Sequence, residues 1–331
     1  MPTMTTYGDI SQRTAAWAAT DMLEHAEPIM VLGKFGQTKP IPKNKAKSAK
    51  FRRPIPFAIS TTPLVEGVTP AAQQMQYEDV PVDLEQYGGV CEITDVVADV
   101  AEDPVMSDAN EMSGEQAGET KEMLLWGILK AGSNVAYANG ADRDDVNTPI
   151  EPKDISGVVR FLKAQRAKFM TEMLAGSTHY ATRPIQAGYI AFAHTDCQYD
   201  IEAMEGFVPV AEYGSRKPLC PEEIGAVGQL RFILSPLLVP FADAGGAKGQ
   251  MKSTTGLNAD VYPVVVIAKA AYGHCPLKGA SSIKPSVINP GTVSKSDPLG
   301  QRGYVGWKMW HAATILNQAW MVRLEVAVTD L

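Results

Sequence analysis

The sequence predicts an α+β protein in which one long helix is set among strands and a two-stranded ribbon projects from the body. Three observations lead to this. Apolar residues keep a helical spacing from about residue 104 to 138, strand-type apolar runs fill much of 185–328, and charge is segregated between adjacent segments. Residues 28–65 carry eight Lys or Arg and no acid, whereas 66–119 carry fourteen Asp or Glu and no base.

Composition bounds the reading. A chain of 331 residues can form one large or two modest domains with a buried core, and 45% hydrophobic with 20% charged residues excludes a disordered chain. A formal net charge of −7 argues against a general nucleic-acid coat. The four cysteines, Cys91, Cys197, Cys220 and Cys275, form no C-x-x-C pair and read as reduced core thiols. The N-terminus has no basic head followed by an apolar run, and no window reaches the ~18 apolar residues that a bilayer requires. These features predict a soluble, untargeted protein with no membrane partner.

Along the chain, residues 1–36 read as an arm containing a short amphipathic stretch, 17–29. Ile55, Phe57 and Ile59 alternate with Pro56, Ala58 and Ser60 as a strand does, and Pro54 and Pro56 confine that strand to a sheet edge. A tip rich in Thr, Pro, Gly and Gln follows. Val80, Val82 and Leu84 then alternate with Pro81, Asp83 and Glu85; Gly88 and Gly89 suggest a bulge that passes the apolar side to Tyr87, Cys91 and Ile93. An isolated two-stranded ribbon buries too little surface to offset its ordering entropy, so it must rest on something. Asp103-Pro104 starts a long helix running to about Ala138, with Val105, Ala109, Met112, Met123, Leu124, Ile128, Ala131 and Val135 on one line. A second helix spans about 152–169, with Ile155, Val158, Val159, Leu162 and Phe169 inward. Three apolar strand runs follow, and the Gly-rich segment 242–260 between two of them is expected to be exposed and mobile. The last thirty residues read as a closing hairpin packed on the long helix.

The charge segregation has three readings. The basic strand pairs with its own acidic return strand, the basic limb of one copy lies across the acidic segment of the next, or the strip binds DNA.

Three stretches resemble active sites. His194-Thr195-Asp196-Cys197 offers a thiol, an imidazole and a carboxylate, but Thr195 and Gln198 have capping-box spacing, and Cys197, Ile201 and Met204 form one apolar helix face. GAKGQMKS (246–253) misses a phosphate loop because Met251 stands where the second glycine is needed. The five histidines show no ligand spacing, and Asp142, Asp144, Asp145 and Asn147 lack the glycine and the final acid of a calcium loop. No catalytic, cofactor-binding or metal residue is predicted. The alternative to a structural protein is a cytosolic ligand- or nucleotide-binding enzyme domain.

LVEGVTPA (64–71), DVPVDLEQYGG (79–89) and DPLGQRGYVGWKMWHAATILNQAWMVRLEVA (297–327) resemble the major capsid proteins of tailed phages, specifically the N-four-type coat family. The resemblance implies the Hong Kong 97-like fold: an N-terminal arm (1–36), an extended hairpin loop (37–98), a discontinuous peripheral domain with a spine helix (99–180 and 302–331), and an axial domain (181–301). It implies self-assembly through hexameric and pentameric capsomers into an icosahedral head around double-stranded DNA. The chain would be made in the host cytoplasm and end in the virion capsid. Scaffolding, decoration and portal proteins are the implied further partners, and the DNA is enclosed without sequence specificity. Lys43, Lys45, Lys47, Lys50, Arg52 and Arg53 would then reach an adjacent subunit. Asp95, Asp99, Glu102, Asp103 and Asp108 are candidates for the receiving surface on charge alone.

Overall fold

The computed structural model describes residues 30–42, 47–64, 66–96, 105–174, 182–213, 217–278, 283–293 and 297–331. The chain begins with two short strands, β1 (Gln37–Thr38) and β2 (Ile41–Pro42), and then forms the ribbon from β3 (Ser48–Pro54) and β4 (Tyr77–Asp83). Strand β5 (Glu85–Thr94) leads to the long helix α1 (Val105–Lys130). Next come β6 (Val135–Tyr137), α2 (Pro152–Ala164), β7 (Tyr189–Ala193), the short α3 (Gln198–Glu202), β8 (Phe207–Pro209), β9 (Glu223–Val227) and β10 (Leu230–Leu234). The chain closes with β11 (Tyr262–Ile267), β12 (Tyr272–His274), β13 (Leu277–Lys278), β14 (Ile283–Ile288), β15 (Arg302–His311), β16 (Ala313–Ile315) and β17 (Met321–Val326).

The main core surrounds a seven-stranded sheet in the order β6-β17-β11-β7-β10-β9-β8. Every residue of β7, β10, β11 and β17 is buried, as a sheet covered on both faces requires. On one face Ile155, Val158 and Leu162 of α2 and Cys197 and Ile201 beside it pack on Tyr189, Phe232, Val264 and Leu324. On the other, Leu125, Trp126 and Leu129 from the end of α1 pack on Ile190, Phe192, Ile233 and Val265. The start of α1 lies on a second, three-stranded sheet, β14-β15-β5, through Ala109 against Ile93 and Val305 and Ala117 against Trp307 and Met309. One helix of 26 residues, about 39 Å long at ~1.5 Å per residue, thus braces both sheets.

Several expectations are corrected. Helix α1 ends at Lys130, not near Ala138, because Gly132-Ser133-Asn134 turn the chain and Val135–Tyr137 pairs in parallel with Arg323, Leu324 and Glu325 of β17. Over its first half the inward face is made of small residues, Ala109, Ser113, Gly114, Ala117 and Gly118, whereas Met112 and Met123 are 61% and 42% exposed. Apolar periodicity gives such small residues little weight. Helix α2 stops at Ala164 in a Schellman turn: Arg166 adopts φ +53° and the Ala167 amide donates to the Leu162 carbonyl, which leaves Phe169 beyond the helix.

The closing hairpin is likewise not formed. β15 pairs with β14 and β5, β16 with β12, and β17 with β11 and β6, so the C-terminal strands tie three sheets together. No bulge occurs at Gly88-Gly89, where β5 runs in unbroken register with β15. The glycines serve close approach instead: a Cβ on Gly88 would lie 2.7 Å from the Trp307 carbonyl oxygen. The Gly-rich segment is folded back on the body. Buried Asp260 accepts the Asp243 and Thr254 amides and the Thr254 hydroxyl, and Lys248 pairs with Asp330. Finally, Cys91 is exposed on β5, while Cys197, Cys220 and Cys275 are buried as read.

Candidate assembly surfaces

The ribbon is two strands in one antiparallel register, from Ser48 opposite Asp83 to Pro54 opposite Tyr77. Its paired part lies earlier than the alternation at 55–60 suggested. Among the described residues, one backbone bond extends the ladder toward the tip, from the Ile55 amide to the Gln76 carbonyl at 2.9 Å. Alternate residues of such a ladder turn their amides outward. With Ile55 bonded inward, Pro54 and Pro56 fall on the outer edge. With the Leu84 amide bonded to the Lys47 carbonyl, Pro81 falls on the other outer edge. Each outer edge is therefore missing donors at its prolines while Lys50, Arg52 and Asp79 keep theirs, which interrupts strand addition and favours docking by side chains.

The base and the distal part of the ribbon differ. At the base Phe51, Val82 and Leu84 are buried against Ile41, Cys275 and Ala312 of the body. Distally the described residues leave the apolar side chains bare: Phe57, Ile59, Leu64 and Val68 are 56%, 76%, 77% and 62% exposed. A run of apolar side chains this bare marks an interaction surface.

Of the basic residues assigned to the reaching limb, Lys43 and Lys45 lie outside the described residues. Arg52 and Arg53 are already engaged within the chain. Arg52 donates to both oxygens of Asp79 at 2.7 and 3.1 Å, and Arg53 donates to Glu78 at 2.7 Å. The Arg52 bond holds the Asp79 carboxyl below its ordinary range, although desolvation opposes it. For these two residues the basic strand pairs with its own acidic return strand. Lys47 and Lys50 are exposed and make no ion pair among the described residues.

Of the acidic candidates, Asp99, Glu102 and Asp103 lie outside the described residues. Asp95 is half-buried at the end of β5, where its carboxylate accepts the Val96 amide. Asp108 is exposed near the start of α1. The structure brings Glu115 and Glu119, which the sequence reading did not single out, to the same outward side of α1, interleaved with exposed Met112 and Met123. Their spacing was visible in the sequence. What was missing was the knowledge that the small residues, and not the methionines, face inward.

The apparent active sites dissolve. His194 Nδ1, not Thr195, caps the turn by accepting the Asp196 amide at 3.0 Å, while the Asp196 carboxylate takes the Lys252 ammonium at 2.6 Å and the Tyr262 hydroxyl at 2.7 Å. Cys197 points into the core, where burial pushes its thiol pKa far up. In the stretch resembling a phosphate loop, Met251 bridges to Thr329 and the chain runs on to β11 with no helix, so no anion site opens there. Among the described residues, no group of three or more His, Cys, Asp or Glu could hold a metal ion, and no helix is long and apolar enough to cross a membrane.

A family model described as "Phage capsid protein" matches residues 77–324, well over half of the chain. The major capsid protein of Pseudomonas phage KPP21 is 23% identical over 270 residues, covering 73% of this chain and 66% of that protein. Among solved structures, the capsid of Ralstonia phage GP4 is similar with a TM-score of 0.67 at 10% identity, covering 90% of each chain. The capsid asymmetric unit of cyanophage Pam1 is similar with a TM-score of 0.63 at 13% identity, covering 90% of this chain and 89% of that one. With the family model spanning α1, most of the seven-stranded sheet and β15, the chain belongs to the phage capsid protein family, a structural coat protein of the Hong Kong 97-like fold.

Proposed function

We propose that this chain is the repeating subunit of an icosahedral phage head enclosing double-stranded DNA, and that the ribbon of each copy lies on the body of the next. The observation that carries this is the distal ribbon, whose apolar residues are left exposed by the described residues and whose outer edges are interrupted by Pro54, Pro56 and Pro81. Residues 37–98 act as the extended loop. Residues 99–180 with 302–331 act as the peripheral part and 181–301 as the axial part, with β6 and β17 joining the two through the shared seven-stranded sheet. Copies group into hexameric and pentameric capsomers; scaffolding, decoration and portal proteins complete the head. The net charge of −7 lets enclosed DNA lie against the shell without adhering.

The charge-pairing account narrows. Lys47 and Lys50, with Lys43 and Lys45, reach the neighbour, while Arg52 and Arg53 stiffen the ribbon that carries them. The receiving surface comprises Asp95, Asp99, Glu102, Asp103 and Asp108 and extends along α1 to Glu115 and Glu119. Single exposed ion pairs contribute only about 0–1 kcal/mol, so specificity comes from many repeated contacts and from the apolar tip.

The test is to express the chain alone and with residues 61–74 replaced by a short Gly-Ser turn, followed by sedimentation and negative-stain microscopy. The parent chain is expected as capsomers or shells, and the shortened chain as a folded, unassembled species with an unchanged melting curve. Shells formed equally well by the shortened chain would overturn the ribbon's role. A parent chain that stays monomeric at all concentrations would overturn the assembly reading.

A further inference from the structure

The second helix carries charge that the contact between ribbon and body leaves unused. From Ile155 to Thr171 the sequence has no acid and four cations, Arg160, Lys163, Arg166 and Lys168. The fold adds a fifth. The Lys269 amide donates to the Lys168 carbonyl at 3.1 Å, which brings the turn after β11 beside the end of α2. All five residues are exposed, and among the described residues none of them makes an ion pair. The neighbouring acids along the chain have other tasks or stand apart. Asp154 accepts the Glu151 amide at the far end of α2, Glu151 pairs with Lys153, and exposed Glu172 follows Lys168 by four positions. Cations are favoured at a helix C-terminus, which accounts for Lys163 and Arg166. It does not account for Lys168 and Lys269, which lie outside the helix.

The placement of the patch is as informative as its charge. Helix α2 packs on one face of the seven-stranded sheet and the end of α1 on the other. Pro81 and Val82 at the base of the ribbon border the same groove as Met123 and Ile128 of α1, so the ribbon springs from the α1 side. The subunit is therefore two-sided. One side carries the ribbon and the acidic flank of α1, and the other carries the cations of α2.

We infer that the α2 side is the inner face of the shell wall, and that Arg160, Lys163, Arg166, Lys168 and Lys269 take backbone phosphates of the enclosed duplex. This rests on the coat-protein reading. A duplex bears one negative charge per ~1.7 Å of its axis, and clustered, unpaired Lys and Arg suffice to hold it without reading its sequence. The rival occupant is the acidic segment of a second copy, but that segment shares its side of the molecule with the ribbon lysines, which already match it. The contact stays local. With these five set aside, the 30 Lys and Arg of the chain fall to 25 against 37 Asp and Glu, so the remaining surface repels the duplex and confines it to this strip.

The experiment titrates the full chain, as unassembled subunits or capsomers, with a short DNA duplex of arbitrary sequence at several salt concentrations. Binding by the parent is expected to weaken roughly a hundredfold over a fourfold rise in salt, as counterion release from about four phosphates requires. The variant Arg160→Gln, Lys163→Gln, Lys168→Gln, Lys269→Gln should bind at least about tenfold more weakly at the lowest salt and lose most of that salt dependence. Lys47→Gln with Lys50→Gln should leave both unchanged. Acylation of the parent gives a readout that does not depend on the variant's folding: the duplex should shield Lys163, Lys168 and Lys269 but not Lys47 and Lys50. In assembled shells, a reagent too bulky to cross the wall should leave the same three lysines unlabelled, and their full labelling would overturn the inward placement. Parent-like DNA binding by the four-residue variant, shielding of the ribbon lysines instead, or a variant that loses subunit association and keeps its DNA affinity would each overturn the phosphate site. Shells that form from subunits with no affinity for the duplex sink this inference alone and leave the coat-protein reading intact.

Discussion

Glu325 shows what a single residue holds. It is fully buried on β17 and accepts two bonds from Arg143, at 2.7 and 2.8 Å, with Arg323 Nε 2.8 Å away. Arg143 and the Lys130 ammonium stand over the Phe241 ring at 3.6 and 3.8 Å from its centroid, and Arg323 is 5.9 Å from it. One carboxylate thus balances three cations gathered on a ring. Removing one partner of a buried ion pair leaves uncompensated charge. Glu325→Gln is expected to cost about 3–5 kcal/mol, read as a lower urea midpoint with an unchanged slope. None of this was legible in the sequence, because Arg143 and Glu325 stand far apart in the chain and a charged residue on a strand ordinarily faces water, whereas β17 is interior and both of its faces are covered.

At the scale of elements, the strand and helix inventory was largely legible, because it rests on local periodicity and on turn residues. The second helix with Ile155, Val158 and Leu162 inward and the strand through Val80 and Val82 read correctly, whereas the alternation at 55–60 forms no strand and the helix stops short of Phe169. Pairing was less legible, since it depends on partners remote in the chain. Gly88 illustrates this: locally it suggests a bulge, but its actual constraint is the Trp307 carbonyl more than two hundred positions later. Gly88→Ala places a methyl group against that backbone, which cannot move without breaking the β5–β15 register. The expected cost is roughly 1–3 kcal/mol, seen as a lower melting temperature. Gly127→Ala, on the open side of α1 with nothing within 4 Å of its Cβ, is the control and should be neutral or slightly stabilising through helix propensity.

For the whole molecule, the proposed association combines an apolar tip with exposed charges, and these parts respond differently to salt. Replacing Lys47 and Lys50 together by Gln should weaken subunit association at low ionic strength and flatten its salt dependence, while the melting temperature of the isolated chain stays unchanged. Arg52→Gln should instead loosen the ribbon, measured as faster amide exchange at Val80 and Val82. Sedimentation at 0.05 and 0.5 M salt checks the first of these. Equal association of parent and lysine variant at both concentrations would remove the charge-pairing account. By itself the sequence determined the α+β class, the projecting ribbon with prolines at its edges, the segregated charge and the family, since each is written in local spacing or in motifs that stand contiguous in the chain. Tertiary structure alone decided which arginines are already satisfied, that the first half of α1 packs by small residues while Met112 and Met123 stay exposed, and that two distant histidines stack in the interior. Those outcomes depend on which surfaces face one another after the chain has folded, and a linear order of residues does not state that.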